Sequence, residues 1–112
     1  VKKYAPVGIF ATRDADGFNI LNKLAAMNLK VGKDIYLVSF DDHNQCCFSI
    51  PSLSSVHQPT REEGRRAVEK LVNMVFGKKE DHETIKPYLM VRESSGGTRP
   101  EPGIRASETV IY

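Results

Sequence analysis

Apolar side chains in this sequence are gathered into short runs that predict strands. Residues 7–11 (VGIFA), 35–40 (IYLVSF) and 85–92 (IKPYLMVR) are rich in apolar, β-branched and aromatic side chains. The middle run is apolar almost throughout, as in a parallel strand that is covered on both faces. We predict buried strands at 7–11 and 35–40. Pro87 lacks an amide hydrogen, so it is expected at the start of the third strand or on an edge.

The segment 15–28 has a helical repeat. Its apolar residues recur at intervals of three and four, which places their side chains on one face of a helix. They are Phe18, Leu21, Leu24, Ala25 and Leu29. Asp14 directly precedes the segment, where its carboxylate is suited to accept hydrogen bonds from the free amides of the first turn. We therefore predict a helix that Asp14 caps.

A second helix is predicted at 60–76. Thr60 and Glu63 have the spacing of a capping box, and Gly77 supplies a C-terminal stop. The apolar stripe of this helix comprises Ala67, Val68, Leu71, Val72 and Val75. Charged residues of both signs fill most other positions, which is typical of a solvent-exposed helix surface.

Strand, polar turn, helix and strand follow one another in this order, which predicts an α/β fold with a parallel sheet. After the acidic end of the central strand we predict an irregular loop and then another short strand, which leaves through His57. Arg13 and Asp14 follow the first strand, and Asp41 follows the central one. Open parallel sheets bind ligands in the crevice at the carboxyl ends of their strands, so a polar ligand is expected to meet Asp41.

Composition and charge exclude some classes of function. The chain has 112 residues, 40% of them hydrophobic, which suffices for one domain with an ordinary core. Its formal net charge of +2, from 16 basic and 14 acidic residues, does not suggest a nucleic-acid-binding face. No stretch approaches the roughly 20 apolar residues of a membrane span.

Patterns for catalysis and metal binding are lacking in the sequence. There is no nucleophile motif, no glycine-rich phosphate loop and no cluster of His, Asp and Glu at metal-ligand spacing. Cys46 and Cys47 are adjacent, so they cannot link distant parts of the chain, and they are too few for a zinc site. We expect free thiols in a reducing compartment, with no catalytic residue, metal or cofactor.

Four blocks of sequence occur in an informative order: VGKDIYLVSFDD, SIPSLSSVHQP, EEGRRAVEKLV and LMVRESSG. Together they resemble the effector-binding domain of the lactose-repressor (LacI/GalR) family of bacterial transcription regulators. The resemblance implies a type I periplasmic-binding-protein-like lobe, with 1–96 as the C-terminal part of a two-lobed effector domain and 97–112 as a flexible tail. Gln58 and Pro59 would mark the crossing to the other lobe.

The resemblance also implies effector-binding residues. In the family, the first acidic residue after the central strand hydrogen-bonds effector hydroxyls, which gives that role to Asp41. The family most often has Asn then Asp after the first strand, the Asn contacting the effector, whereas this chain has Arg13 and Asp14. Arg13 either pairs with Asp41 and shapes the pocket, which we prefer, or binds an acidic effector such as a uronic acid or a sugar phosphate. Thr60 falls near a position that often lines the cleft, although capping its helix is the simpler role.

Family members dimerise side by side. The matching surfaces are the first helix and the loop 45–50, and the residues expected there are Phe18, Leu21, Asn22, Cys47, Phe48 and Ile50. Packing inside the monomer is an alternative for Phe48 and Ile50. Gly17 and Ser39 stand where the family commonly has Ala and Gly, and these departures remove no ligand group.

The implied function is that of a regulator and not of an enzyme. An effector, expected to be a sugar or sugar derivative, bridges the lobes and changes by linkage the affinity of a homodimer for operator DNA. The DNA-binding head would precede Val1, and the protein would act in the cytoplasm. The alternative is a periplasmic sugar-binding protein of a transport system, which shares the two-lobed fold.

Overall fold

The computed structural model describes residues 7–99, and four strands form its single sheet. The strands are β1 (Val7–Phe10), β2 (Ile35–Asp41), β3 (Ser54–His57) and β4 (Tyr88–Met90), in the order β1-β2-β3-β4. β1, β2 and β3 are parallel, and β4 is antiparallel to β3. The predicted α/β class is confirmed, with one antiparallel edge strand added to the parallel sheet.

Three helices connect the strands. Helix α1 (Asp14–Ala26) links β1 to β2, the single-turn helix α2 (Gln45–Phe48) precedes β3, and α3 (Thr60–Val75) lies between β3 and β4. The sequence predicts α1 and α3 within two residues at each end, but α2 falls in the segment predicted as an irregular loop. Among the described residues, no helix has both the length and the apolar character that crossing a bilayer requires.

The chain divides into two compact units. The first unit holds the sheet, α1 and α2 in residues 7–57 and 88–99, and the second unit is Gln58–Pro87, which contains α3. The boundary between the units falls directly before Gln58, where the sequence predicts a crossing to another lobe. Most of the predicted flexible tail, residues 100–112, lies outside the described residues, and its boundary stays a prediction.

The core of the first unit packs α1 and α2 against the sheet. It consists of the buried residues Ala11, Leu21, Leu37, Cys46 and Leu53. Alternate side chains of β2, from Ile35 to Ser39, are buried, while Tyr36 and Val38 between them are partly buried. β2 is thus the central strand that its apolar sequence predicts.

β1 and β4 differ from their predictions. β1 was expected to be buried, but Val7 is 47% and Phe10 58% exposed, because within the described residues β1 pairs with β2 alone and forms an edge. Apolar composition identifies such a strand without giving its place in the sheet. β4 has three residues instead of the predicted eight. Pro87 directly precedes β4, and a 3₁₀ turn begins at Glu93, shortly after the strand ends.

The second unit is a helix with one charged and one apolar side. Arg65 pairs with Glu62 at 2.5 Å and with Glu69 at 2.6 Å. Four residues of the predicted apolar stripe are between 46% and 75% exposed: Val68, Leu71, Val72 and Val75. The predicted stop is confirmed, since Gly77 has a φ of +82° and donates its amide to the carbonyl of Met74.

Candidate functional site

Strand register brings several polar residues to one end of the sheet. Asp41 lies opposite His57, and His57 lies opposite Tyr88. Arg13 follows β1, which is the other neighbour of β2. We call this end the carboxyl edge and define it by Arg13, Asp14, Asp41, Asp42, His57 and Tyr88. The sequence predicts its first three members as site residues, and the sheet does bring them to one end.

Asp14 is buried behind this edge rather than at the surface. Its Oδ1 accepts hydrogen bonds from the hydroxyls of Ser39 and Ser55, the latter at 2.7 Å. Its Oδ2 accepts the backbone amide of His43 at 2.7 Å and lies 2.9 Å from the ring Nδ1 of the same residue. The prediction that Asp14 caps α1 is wrong, because Arg13 occupies the N-cap position and no side-chain bond caps the helix. The carboxylate points to the sheet instead.

These bonds keep Asp14 ionised. Burial alone would raise its pKa, but the hydrogen bonds from Ser39, from the His43 amide and from Ser55 outweigh burial and hold the pKa below the ordinary value of 3.8. The buried, ionised carboxylate of Asp14 therefore links the start of α1 to strand β3 and to the start of the loop that follows β2. Whether it also touches an effector stays a prediction.

A second buried carboxylate, Asp42, organises the next part of the edge. Its Oδ2 lies 2.8 Å from Nδ1 of His57, and its Oδ1 lies 2.7 Å from Nη2 of Arg92. Neither Oδ1 nor Nη2 has another partner within 7–99, and both side chains are at most 2% exposed. Arg92 also donates Nη1 to the carbonyl of Leu53 at 2.7 Å. Arg92 thus compensates the charge of Asp42 inside the protein.

The segment after Arg92 fastens the chain to the strand β3. Ser94 accepts the amide of Ser54 at 2.7 Å and donates its hydroxyl to the carbonyl of Leu37 at 2.6 Å. Glu93 accepts both the amide and the hydroxyl of Ser52. Arg92, Glu93 and Ser94 belong to the block LMVRESSG, which contributes to the family resemblance. In the structure these three residues make the contacts that hold this segment against β3 and the residues before it.

Arg13 lies at the surface and is engaged by Asp16. Its Nε and Nη2 donate to the two carboxylate oxygens of Asp16 at 3.1 and 3.2 Å, and the two side chains are 69% and 42% exposed. The hydrogen bond and charge of Asp16 raise the pKa of Arg13, and the charge of Asp41 contributes less. The bidentate partner of Arg13 is therefore Asp16, three residues along α1, and not Asp41 as we preferred from the sequence.

Asp41 and the pair His57 and Tyr88 complete the edge. Asp41 is partly buried and has a φ of +107°, which is uncommon for a residue other than glycine and turns the chain sharply at the end of β2. The rings of His57 and Tyr88 are stacked, with centroids 4.8 Å apart and planes inclined by 25°. Sequence reasoning missed Tyr88, because only strand pairing reveals that the start of β4 lies opposite the end of β3.

Thr60 lies in the second unit as the first residue of α3. The predicted capping box is wrong, since Pro59 is at the N-cap position and no side-chain hydrogen bond caps the helix. A contact of Thr60 with an effector stays a prediction. In the part of the chain that the structure describes, no group of three His, Cys, Asp or Glu side chains is placed to bind a metal.

The residues expected at a dimer interface have different surroundings. Phe48 and Ile50 are 78% and 86% exposed, and Asn22 is also exposed. Phe18 lines an open groove of about 600 Å³ with Phe48, and Cys47 is partly buried. Leu21, by contrast, belongs to the core, which leaves it little surface for a partner. Phe48 and Ile50 are thus not packed inside the monomer, which was the alternative for these two residues, and their place at a dimer interface stays a prediction.

Comparison with known proteins gives consistent matches. The periplasmic binding protein-like domain family matches residues 1–95. The HTH-type transcriptional repressor PurR of Proteus mirabilis (strain HI4320) is 30% identical over 95 residues, which are 83% of this chain and 28% of that protein. The chain thus spans little more than a quarter of the curated relatives that it matches.

Two solved structures of similar sequence have the same fold. The transcriptional regulator CelR in complex with cellobiose is 32% identical with a TM-score of 0.71, over 79% of this chain and 28% of that one. A LacI-family regulatory protein from Chloroflexus aggregans is 32% identical with a TM-score of 0.74, over 80% of this chain and 32% of that one. These relatives are transcriptional regulators and not enzymes.

Proposed function

Because this chain belongs to the periplasmic binding protein-like domain family and is part of the effector domain of a LacI-family transcriptional regulator, we propose that its carboxyl edge forms one wall of a sugar-binding site. Arg13 and Asp41 carry the proposal, since they present a donor and an acceptor at the ends of adjacent parallel strands. Ligands of open parallel sheets bind at this end.

The chemistry of the edge suits a sugar. A carboxylate accepts charge-assisted hydrogen bonds from hydroxyl groups, and Asp41 is only partly buried, so it is reachable from solvent. Two buried hydrogen bonds fix the backbone that follows Asp41, since the amide of Asp42 donates to the hydroxyl of Ser55 and the amide of His43 donates to Asp14. The CelR structure supports a sugar as the effector class, because that related regulator holds cellobiose.

The regulatory part of the proposal is a linkage between two sites. The protein binds operator DNA through a head that this chain does not include, and effector binding changes operator affinity by a coupling factor of about 5 to 150. The curated relatives are repressors, which supports a regulator over a transport-linked binding protein. A cytoplasmic location follows from a role at operator DNA.

Homodimerisation is part of the same proposal. The exposed side chains of Phe48 and Ile50 form an apolar surface beside the groove that Phe18 lines. Apolar surface of this kind commonly marks an association site. We place the partner copy on this surface, with Asn22 and Cys47 at its margin.

The site is tested on the full-length protein that contains this chain. A panel of monosaccharides and disaccharides, cellobiose among them, is screened by the shift in its thermal unfolding midpoint, and operator sequences are selected from random DNA. The sugar that shifts the midpoint is expected to change operator affinity. Asp41→Asn should weaken sugar binding about 10- to 100-fold, because it removes the charge from the acceptor while Asn tolerates the same positive φ.

Asp34→Asn is the matched control. Asp34 carries the same charge at the opposite end of β2, where it accepts the amide of Lys30. This substitution should leave the dissociation constant of the sugar unchanged. If Asp41→Asn bound the sugar as well as the wild type, or if no molecule in the panel altered operator affinity, the proposed function would be wrong.

A further inference from the structure

The guanidinium of Arg13 would by itself favour an acidic ligand, but neighbouring carboxylates compensate its charge. Asp16 holds Nε and Nη2 of Arg13 in a two-point contact. Asp41 follows the neighbouring strand and adds a second negative charge that acts on the same guanidinium. The guanidinium of Arg13 therefore lies in the field of two carboxylates, Asp16 on its own helix and Asp41 at the carboxyl edge.

The groups buried behind the edge do not restore a positive charge. Asp14 is held ionised by hydrogen bonds from Ser39, Ser55 and the His43 amide. Asp42 and Arg92 compensate each other. An anionic ligand next to Arg13 would thus meet Asp41 and Asp16 at close range, or would have to displace Asp16 from the guanidinium.

Arg13 nevertheless keeps a hydrogen-bonding role. Within residues 7–99 the bonds of Arg13 to Asp16 use Nε and Nη2, which leaves the Nη1 group to donate to a ligand. A hydroxyl group of a neutral sugar can accept from Nη1 and donate to Asp41, whereas a carboxylate or phosphate can only accept. Arg13, whose charge Asp16 compensates, can donate a hydrogen bond, and the carboxylate of Asp41 can accept one. This pair of groups suits the hydroxyl groups of an uncharged sugar.

We infer that Asp16 is a specificity-determining residue, which pairs with Arg13 and restricts the site to electrically neutral polyhydroxylated effectors, excluding uronic acids and sugar phosphates. This inference rests on the proposed function and concerns the charge of the ligand at the same site. For Arg13 it replaces both roles that the sequence leaves open: the residue shapes the pocket, but through Asp16 instead of Asp41, and does not bind an acidic effector.

The test uses anion binding, which is independent of operator DNA. D-glucuronate and inorganic phosphate are titrated by calorimetry into the full-length protein and into four variants: Arg13→Asn, Asp16→Asn, Asp16→Asn with Arg13→Asn, and Asp34→Asn. The wild type should bind neither anion measurably. Asp16→Asn should gain anion affinity by at least about tenfold, because an uncompensated guanidinium is a strong receptor for both anions. The double variant should lose this gain.

Asp34→Asn controls for the change in net charge, since it removes an equal exposed charge at the amino end of β2. Anion binding by the wild type that Arg13→Asn abolishes would overturn the inference, and so would an Asp16→Asn variant without added anion affinity. The proposed function would survive either result if neutral sugars still changed operator affinity. If an acidic sugar alone did so, the proposed function would stand and the inference would fall.

Discussion

Asp14 illustrates at the residue scale how a buried charge can support a surface site. Its two oxygens receive two hydroxyl groups and one backbone amide from three different parts of the chain. Each such bond to an ionised acceptor contributes more than a bond between neutral groups, and a donor left without its acceptor costs free energy. The residue that the sequence offers as a helix cap is therefore a junction between α1, β2 and β3.

Asp14→Ala should lower the free energy of unfolding by about 3 kcal/mol, because the amide of His43 and two buried hydroxyls lose their acceptor. Urea unfolding of the full-length protein followed by circular dichroism measures this. Asp16→Ala is the matched control: it lies two residues along and is 42% exposed, so it should cost far less. Equal losses in the two variants would contradict the structural role of Asp14.

The same residue predicts a dependence of stability on pH. The folded state lowers the pKa of Asp14 below 3.8, so its stabilising contribution is present above that value and is lost as pH falls through the lower folded pKa. The difference in stability between wild type and Asp14→Ala should thus be constant near neutral pH and shrink in acid below about pH 4. Unfolding curves at a series of pH values measure it, and a difference that grew in acid would contradict the assignment.

At the element scale, two glycines show how the secondary structure elements are fitted together. Gly32, in the turn from α1 to β2, has a φ of +91°, and a Cβ there would lie 2.3 Å from the carbonyl oxygen of Glu93. Gly17 brings α1 against β2 and against Leu53, which directly precedes β3, since a Cβ at Gly17 would lie 3.1 Å from Ser39 and 3.0 Å from Leu53. Gly17 and Ser39 are therefore complementary, because a residue without a side chain on the helix faces a larger residue on the strand.

Gly32→Ala should lower the free energy of unfolding by about 2 kcal/mol or more, because both the positive φ and the contact with Glu93 disfavour a side chain. Gly64→Ala provides a control of opposite sign. Gly64 lies within α3 with nothing within 4 Å of its Cβ position, so alanine should stabilise the helix by about 0.5 to 1 kcal/mol. Urea unfolding compares the two variants, and a stable Gly32→Ala protein would show that the turn can adopt another conformation.

At the scale of the whole molecule, the exposed apolar surfaces point to assembly. In the first unit they include Phe48 and Ile50, and in the second unit they include the α3 side chains of the predicted stripe. Such surfaces are unfavourable in water when they are contiguous. The chain spans 28% of the length of the PurR repressor of Proteus mirabilis, and we propose that part of this surface contacts the remainder of the full-length protein.

Phe48→Lys should convert the proposed homodimer of the full-length protein into a monomer, because a charge would be buried at the centre of the apolar contact. Light scattering coupled to size-exclusion chromatography measures the mass. Met27→Lys is the control, since Met27 is 66% exposed on the same unit but at the other end of α1. A dimer that persists in the Phe48 variant would move the interface elsewhere.

The local pattern of the sequence was sufficient for the elements and the class of fold. The 3.6-residue repeat of α1, the apolar run of β2 and the glycine that ends α3 are each short-range signals, and the structure confirms them. The order of strand, helix and strand then leaves few topologies, which is why the position of Asp41 at the end of a parallel strand could also be predicted.

Only the tertiary structure decided the partners of the polar side chains. Asp14 bonds to Ser39 and Ser55, and Asp42 to His57 and Arg92, across separations in sequence that no local pattern encodes. Arg13 is the instructive case, because the residue type alone suggests an anion receptor and its neighbour on α1 determines its charge environment. Hydrogen bonds and ion pairs depend on distances of a few ångströms, and these arise from packing the elements together rather than from forming them.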